Sequence, residues 1–265
     1  MTQDISNAPI LARVRNFRDV GGLPTHDGRR VRTGHLYRSG HLAHATDSDI
    51  EYLNSLGLHT VFDFRNSEDR ALEGLDVDLA GVRNVNIPLS DPAYGGGFWK
   101  MVREGAIEEL RDILGEGRAA ARMHGSYVKL IKERTAEHSR VVHAIAEDSV
   151  PVLMHCAAGK DRAGLSVAVT LLALGVRREA ITADYLESNA PQHRYPVRRS
   201  NGLAPSPEAM ELLGPLFDAR AEYLDAAFAA IDETWGGVDT YLAQGLGLGA
   251  ATLDRLRDRM LEPAA

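Results

Sequence analysis

The sequence contains one cysteine, Cys156, so no intrachain disulfide can form. That fits a reducing cytoplasm. No run of about 18 apolar residues occurs, so no membrane-spanning helix is expected. The first fifteen residues lack a basic region followed by an apolar one, so no secretory signal is visible. A cytoplasmic location is therefore expected, with export by another route left open. Basic charge is also short: 37 acidic residues against 30 Lys and Arg give a net charge of −7. This disfavours non-specific binding to nucleic acid, although a local pocket can still be basic. The ten histidines show no paired ligand spacing, so neither a metal nor a cofactor is expected. Gly95-Gly96-Gly97 lacks the strand and helix context of a dinucleotide fold.

What remains is an ordinary globular composition, 44% hydrophobic and 25% charged over 265 residues. One domain with added parts fits this length. Asn16 to Gly22 carries two glycines suited to a turn, and His35–Ser39 reads as a short strand. Thr46 can cap a helix with Asp49 three residues on, Ile50, Leu53 and Leu56 form its apolar stripe, and Gly57 can end it. Thr60–Phe64, Val82–Leu89 and Val150–Met154 read as strands. Residues 90–118 read as an insertion or lid with one or two short helices, and 119–147 have helical spacing. Helices follow over Ala163–Leu174 and Arg178–Asn189. After a polar stretch from Pro191 to Pro207, a helical C-terminal part is expected at 207–232, 238–244 and 251–261. Strands alternating with helices predict an α/β fold with a mostly parallel central sheet flanked by helices.

The decisive feature is strand, then Cys-x-x-Gly-x-x-Arg from Cys156 to Arg162, then helix. Ligands of open α/β sheets sit at the carboxyl ends of strands. A tight loop there turns successive N–H groups inward into an anion site, and the next helix adds its free N–H groups. Gly159 permits a bend that a side chain would hinder. A thiol in such a place favours the thiolate, the reactive form. Arg162 offers a planar fork for two phosphate oxygens, which a lysine could not match. Cys156 is thus the candidate nucleophile, Arg162 the clamp, and Ala157, Ala158, Gly159, Lys160 and Asp161 the rest of the phosphate-binding loop. Read singly, Cys156 would be a buried core thiol beside a Gly-containing turn; the full spacing argues otherwise. Lys160 is expected to lend a second positive charge, or else to be a solvated loop residue. His155 is expected to orient the loop through hydrogen bonds to the backbone.

His-Cys-x-x-Gly-Lys-x-Arg resembles the signature of the protein tyrosine phosphatase superfamily, and Gly159-Lys160 looks like its lipid-active versions. The wider chain resembles the bacterial atypical tyrosine phosphatases. The matching stretches are Asn16 to Gly22, Leu36 to Ser39, Asp63-Phe64-Arg65 followed by Glu68, the signature loop, Asp184 to Asn189 and the tail from Trp235 to Leu261. The resemblance implies a cysteine-phosphatase-like fold and a two-step cysteinyl-phosphate reaction. Its substrates would be phosphotyrosine, with phosphoserine, phosphothreonine or phosphoinositides as further candidates.

Two departures matter. Ala163 stands where the superfamily usually has a Ser or Thr whose hydroxyl stabilises the departing thiolate. No Trp-Pro-Asp motif supplies a general acid, and no Asp lies between residues 113 and 147. Asp63 is the first candidate, because it ends a predicted strand and matches the family's Asp-x-Arg; its alternative is to pair with Arg65. Asp161 is second, with helix capping as its alternative. Asp91 is third, with a turn role instead. Phe98, Trp99 and Met101 could cover the pocket or pack on the core. Arg194, Arg198 and Arg199 could meet an anion or simply be solvated. The partner is expected to be a phosphorylated protein or phosphoinositide. The competing function is a phosphate-binding module with little turnover. Sulfur or arsenate chemistry at the same loop ranks last.

Overall fold

The computed structural model describes residues 11–90, 96–194 and 202–263. In chain order the elements are β1 (Arg18–Asp19), β2 (Arg29–Val31), β3 (Leu36–Ser39), α1 (Asp47–Ser55), β4 (Thr60–Asp63), α2 (Ser67–Glu73) and β5 (Arg83–Asn86). Then come α3 (Gly96–Glu104), α4 (Ile107–Leu114), α5 (Arg118–Glu133), α6 (Thr135–Glu147), β6 (Val152–His155), α7 (Arg162–Ala173) and α8 (Arg178–Leu186). The chain ends with α9 (Pro207–Phe217), α10 (Ala221–Trp235), α11 (Val238–Thr240), α12 (Ala250–Met260) and β7 (Leu261–Pro263).

Five strands form the central sheet in the order β1-β3-β6-β4-β5. β3, β6, β4 and β5 are parallel, and β1 is antiparallel to β3. The sheet is therefore mostly parallel, as the alternation of strands and helices predicted. β6 lies between β3 and β4, with both faces covered. Period-two alternation divides its side chains: Val152 and Met154 join one core cluster and Leu153 the other. Leu36 and Phe62 go with the first cluster, Tyr37 and Val61 with the second. α5, α6, α7 and α10 contribute to the first, and α1 packs Leu53 into the second. A third cluster joins α3, α4 and α9 through Phe98, Val102, Leu110, Leu114 and Leu213.

The helix expected after Thr46 is present with both halves of its capping box. Asp49 N donates to Thr46 Oγ1 at 3.2 Å, and Thr46 N donates to Asp49 Oδ2 at 3.0 Å. Asp49 also accepts from the amides of Ala12 at 2.7 Å and Arg13 at 3.0 Å, which ties down the chain leading into the domain.

Two expectations for the tail need correction. The stretch 207–232 is two helices, α9 and α10, not one. The carbonyls of Leu216 and Asp218 turn to the Lys160 ammonium, and Asn189 brackets Ala219 by accepting from its N–H and donating to its carbonyl. These long-range bonds outweigh the local helical preference. The end of the chain is also not wholly helical: β7 pairs antiparallel with β2, Arg30 opposite Glu262. Three residues ending in proline show no alternation that would announce a strand. No helix among the described residues is long and apolar enough to cross a membrane.

Candidate active site

Parallel register sets Ser39, His155 and Asp63 side by side at the carboxyl ends of β3, β6 and β4. Cys156 is the next residue after β6, so the loop to α7 opens at this edge, flanked by the segments leaving β3 and β4. Cys156 is only 2% exposed, at the floor of a cavity of about 580 Å³.

The loop is shaped from outside by its carbonyls. Ala157 O accepts from His41 N at 3.1 Å, and Ala158 O from Asn16 Nδ2 at 3.2 Å. Gly159 O and Lys160 O both accept from Arg38 Nη2, at 2.8 and 3.1 Å. Each planar trans peptide directs the following N–H opposite to its carbonyl. Four carbonyls turned outward thus leave four successive amides turned into the concavity. Among the described residues, no amide from 157 to 161 donates to a protein acceptor. The arrangement has the geometry of an anion-binding nest ahead of a helix N-terminus.

Two glycines are required here. Gly159 has φ +71°, and a Cβ on it would lie 2.3 Å from the Ser39 carbonyl carbon. A Cβ on Gly164 would lie 2.5 Å from Arg38 Nη2, so its absence lets the guanidinium pass under the loop. Arg38 is held in turn by Asp184, whose Oδ2 accepts from Nη1 at 2.6 Å, while Arg18 Nε reaches Oδ1 at 2.7 Å. Burial pushes the Asp184 carboxyl upward, but Arg18 and Arg38 overcome this and hold it down at about 2. The stretches Asn16–Gly22, Leu36–Ser39 and Asp184–Asn189 are therefore the scaffold of the loop.

Arg162 lines the cavity with Cys156. Its Nη1 donates to Asp69 Oδ2 and, at 3.0 Å, to Ser90 Oγ; its Nη2 reaches Asp69 Oδ1 at 3.4 Å. Burial opposes the charge, but Cys156 and Asp69 outweigh burial and raise the guanidinium's pKa further. Asp69 and Ser90 were missed in the sequence. The available signal was Asn66-Ser67-Glu68-Asp69, a capping-box spacing that starts a helix at the same sheet edge as Cys156.

The expected acids are placed differently from one another. Asp63 does not line the cavity. Arg65 Nε and Nη2 donate to its two oxygens, each at 3.0 Å, and Arg65 N donates at 2.9 Å. Its alternative, pairing with Arg65, is what the fold uses, because the side chain points along the sheet end into a buried guanidinium. Asp161 does line the cavity but does not cap α7. Its Oδ1 accepts from Tyr127 Oη at 2.7 Å, and the Tyr127 and Tyr185 hydroxyls are 2.7 Å apart. Burial, with Asp161 nearby, raises the Tyr127 phenol well above its ordinary value. Asp91 lies outside the described residues.

The solvated alternative for Lys160 is corrected. The side chain is buried, and Nζ donates to Leu216 O at 2.7 Å and Asp218 O at 3.0 Å, with Asp161 Oδ1 3.4 Å away. It is not a solvated loop residue: it lines the cavity and ties the loop to the end of α9 through two carbonyls. His155 faces a carboxylate and not the backbone, with Nε2 3.0 Å from Asp76 Oδ2. Burial raises the Asp76 carboxyl, but the contact with His155, then Arg65 and the Leu42 amide, brings it to about 2. Phe98 both lines the cavity and packs in the third core cluster. Arg194 reaches the cavity wall, where Nη2 donates to Asp218 at 3.0 Å. Arg198 and Arg199 lie outside the described residues.

Among the described residues, two groups bring possible metal-ligand atoms within 4.8 Å of one another: His41, His44 and Glu73, and Asp63, Asp76 and His155. In the second, Arg65 already supplies the cation, at 3.0 Å from Asp63 and 2.8 Å from Asp76.

A family model described as "Tyrosine phosphatase family" matches residues 9–262. A Cupriavidus necator protein provisionally named a tyrosine-protein phosphatase is 37% identical, covering 91% of this chain and 84% of its own length. The Mycobacterium tuberculosis triple specificity protein phosphatase PtpB is 34% identical, covering 93% and 96%. The Pseudomonas aeruginosa TpbA crystal structure matches 76% of this chain and 91% of its own at 19% identity, but with a TM-score of 0.30 it carries no argument. The cradle with Cys156 and Arg162, and a match running from residue 9 to 262, together show that the chain belongs to the tyrosine phosphatase family.

Proposed function

We propose that this enzyme hydrolyses phosphate monoesters by way of a cysteinyl-phosphate, with Cys156 as nucleophile and Arg162 as clamp. The observation that carries this reading is the set of four outward carbonyls from Ala157 to Lys160, which leaves an amide-lined anion hole above Cys156. Cys156 Sγ attacks phosphorus, and the ester P–O bond breaks with its electron pair going to the leaving oxygen. The amides and the Arg162 fork hold the equatorial oxygens, whose charge grows in the transition state. Water then attacks phosphorus, the S–P bond breaks, and phosphate leaves with the thiolate restored.

Phosphotyrosine is the proposed first substrate. Leu89, Phe98, Met123, Leu130 and Phe217 give the cavity an apolar wall suited to an aryl group. Phosphoserine, phosphothreonine and phosphoinositides are the further candidates, and a relative named a triple specificity phosphatase supports a range wider than one. Phosphate release from phosphotyrosyl peptide, phosphoseryl peptide and phosphoinositide vesicles tests the range. Cys156→Ser is expected to abolish release from all of them while the fold survives; more than a few per cent of wild-type release would overturn the mechanism. Ala163 favours one second reading, phosphate capture with little turnover. A phosphoenzyme burst without steady release is its signature.

A further inference from the structure

The segment leaving β3 and the end of α2 meet beside the catalytic cavity, where they bring His41, His44 and Glu73 together. Glu73 also lines the cavity wall. His41 Nε2 stands 3.4 Å from Glu73 Oε2. That is longer than a good N–H···O hydrogen bond, which spans about 2.7–3.2 Å. It matches two ligands of one ion: nitrogen and oxygen donors at about 2.0–2.2 Å from a tetrahedral metal stand about 3.4 Å apart. The His41 and His44 rings lie 5.3 Å apart, edge to face, and His44 is exposed, so its ring can turn without disturbing the core. The backbone beneath is fixed on both sides. His41 N donates to Ala157 O at 3.1 Å, Leu42 N to Asp76 Oδ1 at 2.8 Å, and Ala45 N to Leu42 O at 3.0 Å, which closes the turn carrying His44. Across from it, Arg65 Nη1 donates at 3.0 Å to the carbonyl of Gly74, the residue after Glu73.

We propose that His41, His44 and Glu73 bind one divalent transition-metal ion of the zinc class. The inference does not depend on the hydrolytic reading above. Two imidazoles and a carboxylate are a ligand set of zinc, with a fourth position left for water. Calcium and magnesium prefer oxygen ligands, so the two histidines select against them. The cluster of Asp63, Asp76 and His155 offers no rival site, because the Arg65 guanidinium already occupies it. An ion held by His41, His44 and Glu73 joins two segments that shape the catalytic cavity. One carries the His41 amide that holds the Ala157 carbonyl. The other is α2, whose Asp69 holds Arg162. No metal was expected from the sequence, because the two histidines sit three apart in a turn and the third ligand comes from another element.

The probes are zinc and cobalt(II), titrated into the full chain and into Cys156→Ser, which lacks the one thiol. Both proteins are expected to saturate at one equivalent. Bound cobalt should show the visible bands of nitrogen and oxygen ligands without a sulfur-to-cobalt charge-transfer band. The melting temperature should rise with zinc concentration and return on adding a chelator, because a ligand of the folded state stabilises it by mass action. In the Cys156→Ser chain, His44→Ala and Glu73→Gln should each weaken zinc binding by about 100-fold or more, beyond the 10–100-fold typical of a group that only orients a ligand. Their melting temperatures without metal should stay at the parent's value. Should His44→Ala fail to fold, Glu73→Gln decides alone by the same criterion. Binding that needs millimolar zinc, or that lowers the melting temperature, overturns the proposal. Binding lost in Cys156→Ser places the metal on the catalytic thiol, and binding unchanged in both ligand variants places it on other side chains; either result overturns it as well.

Discussion

Arg38 Nη2 donates to the Gly159 carbonyl at 2.8 Å from beneath the loop that carries Cys156. A fully buried guanidinium thus sets the direction of peptides whose opposite sides line the anion hole. The same side chain is paired with Asp184 at 2.6 Å. Arg38→Met should therefore do two things. It removes one partner of a buried ion pair, which costs about 3–5 kcal/mol when the other charge is left behind. It also frees the Gly159 carbonyl and leaves Lys160 O with the Gly164 amide alone. The urea midpoint should drop and vanadate binding should weaken together; an unchanged midpoint would show that Arg18 suffices for Asp184.

Acid should destabilise the fold in a defined window. The Asp184 and Asp76 carboxyls both sit at about 2 in the folded protein, against about 3.9 for an unfolded Asp. Their folded values are lower, so the unfolded chain binds protons first as pH falls. The contribution is complete above about pH 5 and is lost between about pH 4 and 2, on the order of 2 kcal/mol for each group. Urea midpoints measured from pH 5 to 2.5 should fall in the wild type. Asp184→Asn should start lower and fall less steeply; an identical slope would show that Asp184 does not titrate in this window.

Arg162→Lys should fail although the charge is kept, because an ammonium cannot make two parallel N–H bonds to phosphate oxygens. A loss on the order of 10²–10³ in turnover is expected from removing such a preorganised donor pair. Turnover and vanadate inhibition that both stay near wild type would remove Arg162 from the clamp.

Ala163 is fully buried at the first turn of α7, where the family usually places a hydroxyl. Ala163→Ser should speed phosphoenzyme breakdown by up to about 10²-fold, the lower end of the range for one donor aimed at a developing anion. Rapid quench of the second step reads this directly. No change would mean that another group already serves the departing thiolate.

The sequence by itself determined the parts governed by local chemistry. Val152–His155, the loop from Cys156 to Arg162 and the helix after it follow from an apolar run, a glycine that must take positive φ, and helical spacing, so strand, nest and helix were legible in order. Thr46 and Asp49 announced their helix because a capping box closes within four residues. Only the tertiary structure decided which polar groups meet. Asp63 is drawn to Arg65, Lys160 to the carbonyls ending α9, and Asp69 to Arg162, ninety-three positions away. A sequence gives each carboxylate or ammonium the same chemistry. Burial makes each find a partner, and which partner is in reach depends on how strands and helices far apart in the chain pack at one sheet edge.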